Sequence, residues 1–469
     1  MKVEFNQSRG MFMDFSIKRN SWFIKAICFT FSLSFFIASF VATIYLDLWG
    51  HVWPDFIKIM TLPGPLITDY FMLGNLASAL LNAGMCGMSF TLLMVLLKCE
   101  CRPSYLAGYF LVIAHCFYGL NFLNMWPPAL GIFLFTRVFK IKFRHNLDLA
   151  MFSTAFGPFI SEMLFRYHVW NYYIAHEIQV SILGFLYVII FSIFLGFAIP
   201  AMLPGALKLH KGYNLYNGGL AFGLLGLFIY AFMYKTLGIE APLAAPVPNV
   251  TYAAHTNSYQ GFVGGYFFIM FLFFILCGWY LNGKSFKGYT ALLKSDGHTA
   301  DFFAQFGGPK VLINIGFYGL LVLSYFFLVI TFTDGAGFTG PTMGVILAAM
   351  TFSSQGQHPA NVWPIFIGYI LLYGFVVILC TLAGLDIPWT LSVQGYLNGA
   401  AFATGLCPIA GRYGKRYGVL AGFMAAVLCT STSSMHGGLM LYNGGLTTGI
   451  TALILIPCLE YYWKAPKKV

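Results

Sequence analysis

The sequence predicts an all-α polytopic membrane protein with about 14 transmembrane segments. They form two inverted repeats of seven spans, with some broken or re-entrant helices. Three observations predict it. Of the 469 residues, 59% are hydrophobic and only 9% charged, with a mean hydropathy of +0.76. A soluble domain carries roughly 25% charged residues to keep its surface wet, so most of this surface must meet lipid. Apolar runs of membrane-spanning length recur along the chain, and four sequence blocks occur twice in the same order.

A helix needs about 20 residues to cross the hydrocarbon core. The clearest runs are 22–45, 71–97, 180–203, 217–234, 261–281, 310–332, 363–384 and 443–463. Shorter or Gly/Pro-broken runs are 104–118, 125–139, 147–165, 341–352, 391–407 and 417–428. The first run is too long for a signal-peptide core and is read as a retained helix. With the N-terminus inside and every run crossing, all of the 26 Lys and Arg except Lys58, Arg166 and Lys235 fall on the cytoplasmic side. That is the charge bias that orients short-looped membrane proteins. It places both termini inside and explains the net charge of +11 without a nucleic-acid partner.

His210-Lys-Gly-Tyr-Asn-Leu-Tyr-Asn-Gly-Gly-Leu220 recurs as His436-Gly-Gly-Leu-Met-Leu-Tyr-Asn-Gly-Gly-Leu446, identical at eight of eleven positions. Gly119, Asn124, Trp126, Pro127 and Gly131 recur as Gly356, Asn361, Trp363, Pro364 and Gly368. Asn82-x-Gly84-x-x-Gly87 recurs as Asn314-x-Gly316-x-x-Gly319, and Thr154 with Pro158 as Thr404 with Pro408. The chain therefore divides into a basic cytoplasmic N-terminus (1–21), repeat one (22–235), an external linker (236–261), repeat two (262–463) and a basic tail (464–469). Seven spans is an odd number, so the second repeat is inserted upside down. Inverted repeats with a midplane site characterise secondary transporters.

The repeated polar breaks are the candidate site. Asn217, Gly218 and Gly219, with Asn443, Gly444 and Gly445, open helices whose unpaired N–H groups suit an anion. The alternative is a Gly-rich corner that seats two helices closely. Thr154 and Thr404 sit one turn before a proline that frees a backbone carbonyl. Asn124 and Asn361 stand at Trp-Pro helix starts, where an amide can ligate substrate or sodium; Trp126 and Trp363 read as interfacial anchors. Glu162 and His115 are the ionisable residues most suited to coupling a sodium ion or proton, although a lone histidine more often bonds a backbone carbonyl. Asp148 and Asp386 read as interface residues, and His358 as an anion ligand or a loop histidine. Cys99 and Cys101 read as reduced bystanders, and 284–305 as an interfacial segment. Enzyme signatures and metal sets are absent from the sequence: His168, His176 and Glu177 share a loop that nothing completes. No cofactor is expected beyond a coupling ion.

The Trp-Pro-x-x-x-Gly blocks, Gly356-Gln-His-Pro-Ala-Asn361 and the paired Tyr-Asn-Gly-Gly-Leu motifs resemble a bacterial multipass family catalogued as a domain of unknown function. The resemblance spans about 22–463. It implies a bacterial inner-membrane protein and carries over neither substrate nor site residues. The plan is also similar to that of inverted-repeat nucleobase and anion transporters. The expectation is a secondary active transporter of a small polar, anionic solute, embedded in the lipid bilayer and compatible with a homo-oligomer. A passive channel is the alternative, and a membrane-embedded enzyme the more distant one.

Overall fold

The computed structural model describes residues 2–62, 64–66, 68–167, 180–239 and 250–463, with backbone alone for 2–17 and 250–258. His168, His176, Glu177, residues 240–249 of the linker and the basic tail lie outside the described residues. Within them every regular element is helical. The first half holds α1 (Lys2–Tyr45), α2 (Leu76–Leu96), α3 (Pro103–His115), α4 (Trp126–Val138), α5 (Leu147–Ser153), α6 (Gly157–Phe165), α7 (Ile182–Leu209) and α8 (Asn217–Tyr230). The second holds α9 (Val250–Leu281), α10 (Gly308–Phe332), α11 (Gly340–Ala349), α12 (Pro359–Ala383), α13 (Gln394–Ala403), α14 (Cys407–Tyr413), α15 (Lys415–Leu428) and α16 (Asn443–Tyr462).

The chain is an integral membrane protein by its helices. Among the described residues, eight are long and apolar enough to cross a bilayer: α1 from Lys18, α2, α7, α8 with its π-helical extension to Thr236, α9 from Tyr259, α10, α12 and α16. These coincide with the eight clear apolar runs. The six shorter runs form short helices or broken pairs. The 13 residues of α3 extend about 20 Å and the 10 of α11 about 15 Å, against a core of about 30 Å. Both are buried almost throughout, so protein rather than lipid surrounds them.

Capping residues explain where several helices begin. Asn75 and Ser78 close a reciprocal box at the start of α2 (2.8 and 2.9 Å), and at the start of α12 the His358 N–H donates to Asn361 Oδ1 at 3.1 Å. Thr339 caps α11, which has Pro341 in its first turn, where the missing N–H is harmless. The packing pairs match between halves: α1 lies on α2 as α9 on α10, α4 on α7 as α12 on α15, and α3 on α5 as α11 on α13. Across the halves α3 meets α11 and α8 meets α16.

The repeated Gly131 and Gly368 mark two of these crossings. A Cβ at Gly131 would fall 1.9 Å from the Ser192 carbonyl oxygen, and one at Gly368 would fall 2.3 Å from that of Val419. Only glycine permits backbones this close. The segment 284–305 departs from the interfacial reading. It forms two short helices, Tyr289–Leu292 and Phe302–Phe306, and buries Leu292, Phe302 and Phe303. The Phe302 N–H donates to Ser354 O at 3.0 Å, which draws the segment into the protein.

Candidate functional site: a cavity where the broken helices meet

The two helix breaks containing Thr154 and Thr404 each contact the opposite half. The turn Thr154–Phe156 joins α5 to α6, and Thr404–Leu406 joins α13 to α14. The Leu215 N–H, just before α8, donates to Gly405 O at 3.0 Å; the Leu441 N–H, just before α16, donates to Ala155 O at 3.1 Å. Each Tyr-Asn-Gly-Gly-Leu motif is thus seated on the broken helix of the other half. The threonine hydroxyls bond within their own turns, Thr154 to Met151 O (2.7 Å) and Thr404 to Ala401 O (2.6 Å). Thr404 Oγ1 also accepts from Gln357 Nε2 at 2.7 Å.

The paired glycines divide into two uses. A Cβ on Gly219 would stand 2.3 Å from Gly445 Cα, and one on Gly445 would stand 2.6 Å from Gly219 Cα. These two glycines are the point where α8 and α16 cross backbone to backbone. A Cβ on Gly444 would fall 2.4 Å from the Phe402 ring. Gly218 is different: the nearest atom to a Cβ there is the Phe222 ring of its own helix at 3.3 Å.

Asn217, Gly218 and Gly219 line a partly open cavity of about 150 Å³. Its rim is the half-buried Ser104, Phe152, Leu203, Asn217, Gly218 and Gln355. Its buried floor includes Ala107, Leu111, Tyr216, Phe352 and Tyr442. Both halves contribute, and no described lining residue carries a formal charge. Asn217 Oδ1, Gln355 Nε2 and the Tyr442 hydroxyl are buried without a hydrogen-bond partner. Buried polar atoms are ordinarily paired, and these three belong to residues of one cavity lining. Two of the first three N–H groups of α8 are already engaged, Asn217 N–H with Leu215 O and Gly219 N–H with Tyr216 O, each at 3.0 Å.

Asn443 lies at the matching start of α16, outside this lining, and its Oδ1 sits 3.2 Å from His436 Nε2. Asn124 and Asn361 brace loops. Asn124 Nδ2 donates to Gly119 O (2.9 Å) and Ser161 Oγ (2.9 Å), and Asn361 Nδ2 donates to Gly356 O (2.8 Å). His115 lies under the cavity floor. Its ring nitrogens stand 2.6 Å from Leu111 O and 3.1 Å from Leu441 O, and its ring is 5.3 Å from that of Tyr442. Glu162 is buried and ion-paired with Arg166, one turn further along α6 and its C-terminal end. His358 Nε2 lies 2.9 Å from Ser295 O. Trp363 is partly exposed beneath the Lys415 ammonium, 5.3 Å from its ring centre. Asp386 is exposed, whereas Asp148 is buried and accepts from Ser104 Oγ at 2.6 Å.

Outside the membrane helices, burial pushes the Cys99 thiol up to about 11 and Cys101 to about 12. Both therefore stay protonated, which suits bystanders rather than metal ligands. No group of three or more His, Cys, Asp or Glu side chains is placed to hold a metal among the described residues.

Sequence reasoning missed Tyr442 and Gln355 as lining residues. Tyr442 was visible as the repeated tyrosine before Asn-Gly-Gly; Gln355 carries no repeat signal, since Tyr118 stands at the matching position. Asn82 and Asn314 were noted only as repeats. Asn82 Nδ2 donates to Cys116 O and Leu120 O (2.8 and 3.0 Å), and Asn314 Nδ2 to Ser353 O and Gln357 O (2.7 and 2.8 Å). Each amide closes the carbonyls freed where α3 or α11 stops inside the protein.

Residues 50–235 and 281–461 match one family. The chain belongs to DUF1576, a family of proteins of unknown function. The match bears out the resemblance to an uncharacterised family. No curated protein and no solved structure matches the chain.

Proposed function

We propose that this member of DUF1576 is a secondary active transporter of a small polar solute, working by alternating access between two halves inserted in opposite orientations. The observation that carries the reading is the cavity built from both halves, with the polar Ser104, Asn217 and Gln355 at its half-buried rim and a buried floor of Tyr216, Phe352 and Tyr442. A site reached from one side and sealed on the other is what a single state of an alternating-access cycle requires.

The rim lies beside Arg102 and on the helix that carries Lys208. By the positive-inside bias this is the cytoplasmic side, so the conformation is inward-facing, with both termini in the cytoplasm of a bacterial inner membrane. His115 is the better placed of the two candidate coupling residues, because its ring touches the cavity floor whereas Glu162 already has Arg166 as counter-ion.

Proteoliposomes containing the full chain test the reading. With lactate, uracil and glutamine as radiolabelled probes, one is expected to accumulate saturably and to respond to an imposed proton or sodium gradient. Asn217→Ala with Asn443→Ala is expected to abolish that uptake. Flux that is linear in concentration and indifferent to both gradients would replace the transporter with a passive channel.

A further inference from the structure

Between its first two spans each half sends a strap across to the other half. The straps are residues 64–66 with 68–70 in the first half and residues 295–302 in the second. We infer that they are paired gates, each clamping the halves together on one face of the membrane and lifting when that face opens; this rests on the transporter reading above.

Each strap is anchored inside its own half at the same place. A Cβ on Gly356 would fall 2.3 Å from Gly297 O, and one on Gly119 would fall 3.1 Å from Gly64 O. The Phe302 N–H donates to Ser354 O at 3.0 Å, and the Tyr70 N–H donates to Phe117 O at 3.2 Å. Gly119 and Phe117 match Gly356 and Ser354 in the repeat. Connecting segments ordinarily run over the surface, yet Gly64 and Gly297 are both buried.

Each strap then crosses to the other half, again at matching places. The Leu66 N–H donates to Gly438 O at 2.7 Å, and the Asp69 carboxylate accepts from the Gly340 N–H at 3.0 Å. On the other strap His298 makes the crossing. Arginine can only donate and a carbonyl can only accept, so His298 accepts at Nδ1 from Arg412 Nη1 (3.2 Å) and donates from Nε2 to Lys211 O (2.8 Å). A Cβ on Gly438 would fall 2.5 Å from Leu66 O, and one on Gly212 would fall 3.2 Å from His298 Nε2. Gly212 and Gly438 hold the same position in the longest repeated block.

The second strap grips both walls of the cavity. Gly356 adjoins the lining residue Gln355, and Gly212 lies just before the lining residues Leu215 and Tyr216. By the positive-inside bias this strap is cytoplasmic and the first is external. Both are seated in this conformation, and the cavity is small and only partly open. Parting the halves on one face breaks that strap's crossing bonds and leaves the other strap seated.

Hydrogen exchange of the full chain in nanodiscs tests this and needs no known solute. Two cross-half bonds beside the straps serve as reporters: Leu215 N–H to Gly405 O on the cytoplasmic side and Leu441 N–H to Ala155 O on the external side. His298→Phe keeps a ring against Tyr213, 4.7 Å away between centres, and removes both polar bonds. It is expected to speed exchange ~3–10-fold at the peptides carrying Phe302 and Leu215, without speeding it at Leu66 and Leu441. Asp69→Ala is expected to do the converse. Arg412→Gln, which removes the donor to His298 Nδ1, should act as His298→Phe does and replaces it if that variant does not fold. Faster exchange confined to the altered strap would make the straps static staples and overturn the inference. Faster exchange at all four peptides would mean general loosening and overturn it equally. Face-specific opening in a chain that carries no probe across proteoliposomes would defeat the transport reading while the straps stand as a two-state device.

Discussion

Two adjacent glycines in one repeated motif should respond unequally to the same methyl group. In Gly219→Ala the new Cβ lies 2.3 Å from Gly445 Cα and 2.6 Å from Gly445 C. Non-bonded carbons come to rest at about 3.5–4.0 Å, so α8 and α16 must part by over an ångström along that line. Neither atom is the end of a flexible side chain, so the strain falls on two helix backbones. Overpacking of this kind costs typically 1–3 kcal/mol, and backbone contact on both sides puts Gly219→Ala at or above the top of that range, about 3 kcal/mol. In Gly218→Ala the nearest contact is a ring of the same helix at 3.3 Å, which turns aside. There the gain in helix propensity, up to about 1 kcal/mol, offsets the crowding. The assay is the unfolding midpoint of each purified variant in the same mild detergent, followed by intrinsic tryptophan fluorescence. Gly219→Ala should fall well below the parent, and Gly218→Ala should stay within about 1 kcal/mol of it. Equal midpoints for the two variants would refute the backbone crossing of α8 on α16 and, with it, the way the halves are joined.

Three further expectations follow from the same contacts. Asn82→Leu and Asn314→Leu each leave two buried carbonyls without their amide partner; at about 1–3 kcal/mol per unsatisfied group, each should lower the detergent unfolding midpoint clearly, and a silent result for both would contradict their role as helix-break closures. Glu162→Gln removes the counter-ion of Arg166, whose side chain is only 15% exposed, and should cost about 3 kcal/mol of stability in chemical unfolding; a variant that folds normally but loses gradient-driven uptake would instead make Glu162 the coupling group. Cys99 and Cys101, with thiols near about 11 and about 12, should react with maleimide at pH 8 roughly two orders of magnitude more slowly than an ordinary thiol, whose pKa is ~8.5. The folded state holds these thiols neutral, and unfolding frees them to ionise near pH ~8.5, so their contribution to stability is full below that pH and declines as pH rises toward their folded values. A midpoint that rises between pH 8.5 and 10 would oppose this.

The sequence made the long helices legible because lipid imposes one requirement, about 20 apolar residues in a row, and the eight clear runs meet it. The short runs carried less, because α3 and α11 are shielded by protein and owe their shape to single side chains such as Asn82 and Asn314. The repeated blocks include the cavity residues Asn217, Gly218 and Gly219, yet a repeat reports shared constraint rather than shared chemistry. Gly219 and Gly445 recur because two helices cross there, and Asn124 and Asn361 recur because each braces a loop. Asn217, one residue before that crossing pair, lines the cavity. Its neighbours Gln355 and Tyr442 come from the other half, 138 and 225 residues further along the chain, at a distance that no local pattern encodes. Asp69 was passed over for the same reason. It accepts from Gly340 N–H at 3.0 Å, capping a helix of the half to which it does not belong.

The unequal use of equal motifs is itself informative about mechanism. Asn217 belongs to the cavity lining and its Oδ1 is unpaired, whereas Asn443 lies outside that lining and has His436 beside it. Sequence differences explain part of this, since Gln355 faces Tyr118 at the matching position. They do not explain why identical Tyr-Asn-Gly-Gly segments stand in different hydrogen-bonding states. Under the proposed cycle, the halves exchange conformations as the cavity closes on one face and opens on the other. Asn443 would then be released toward the outward cavity while Asn217 becomes satisfied. The crossing at Gly219 and Gly445 is the natural pivot for that exchange: it joins the two motifs, backbone meets backbone there, and it carries no side chain that must be repacked. Cysteines placed singly at 217 and at 443 should therefore show reciprocal accessibility to a membrane-impermeant thiol reagent as solute is added, and parallel changes at both would break the argument.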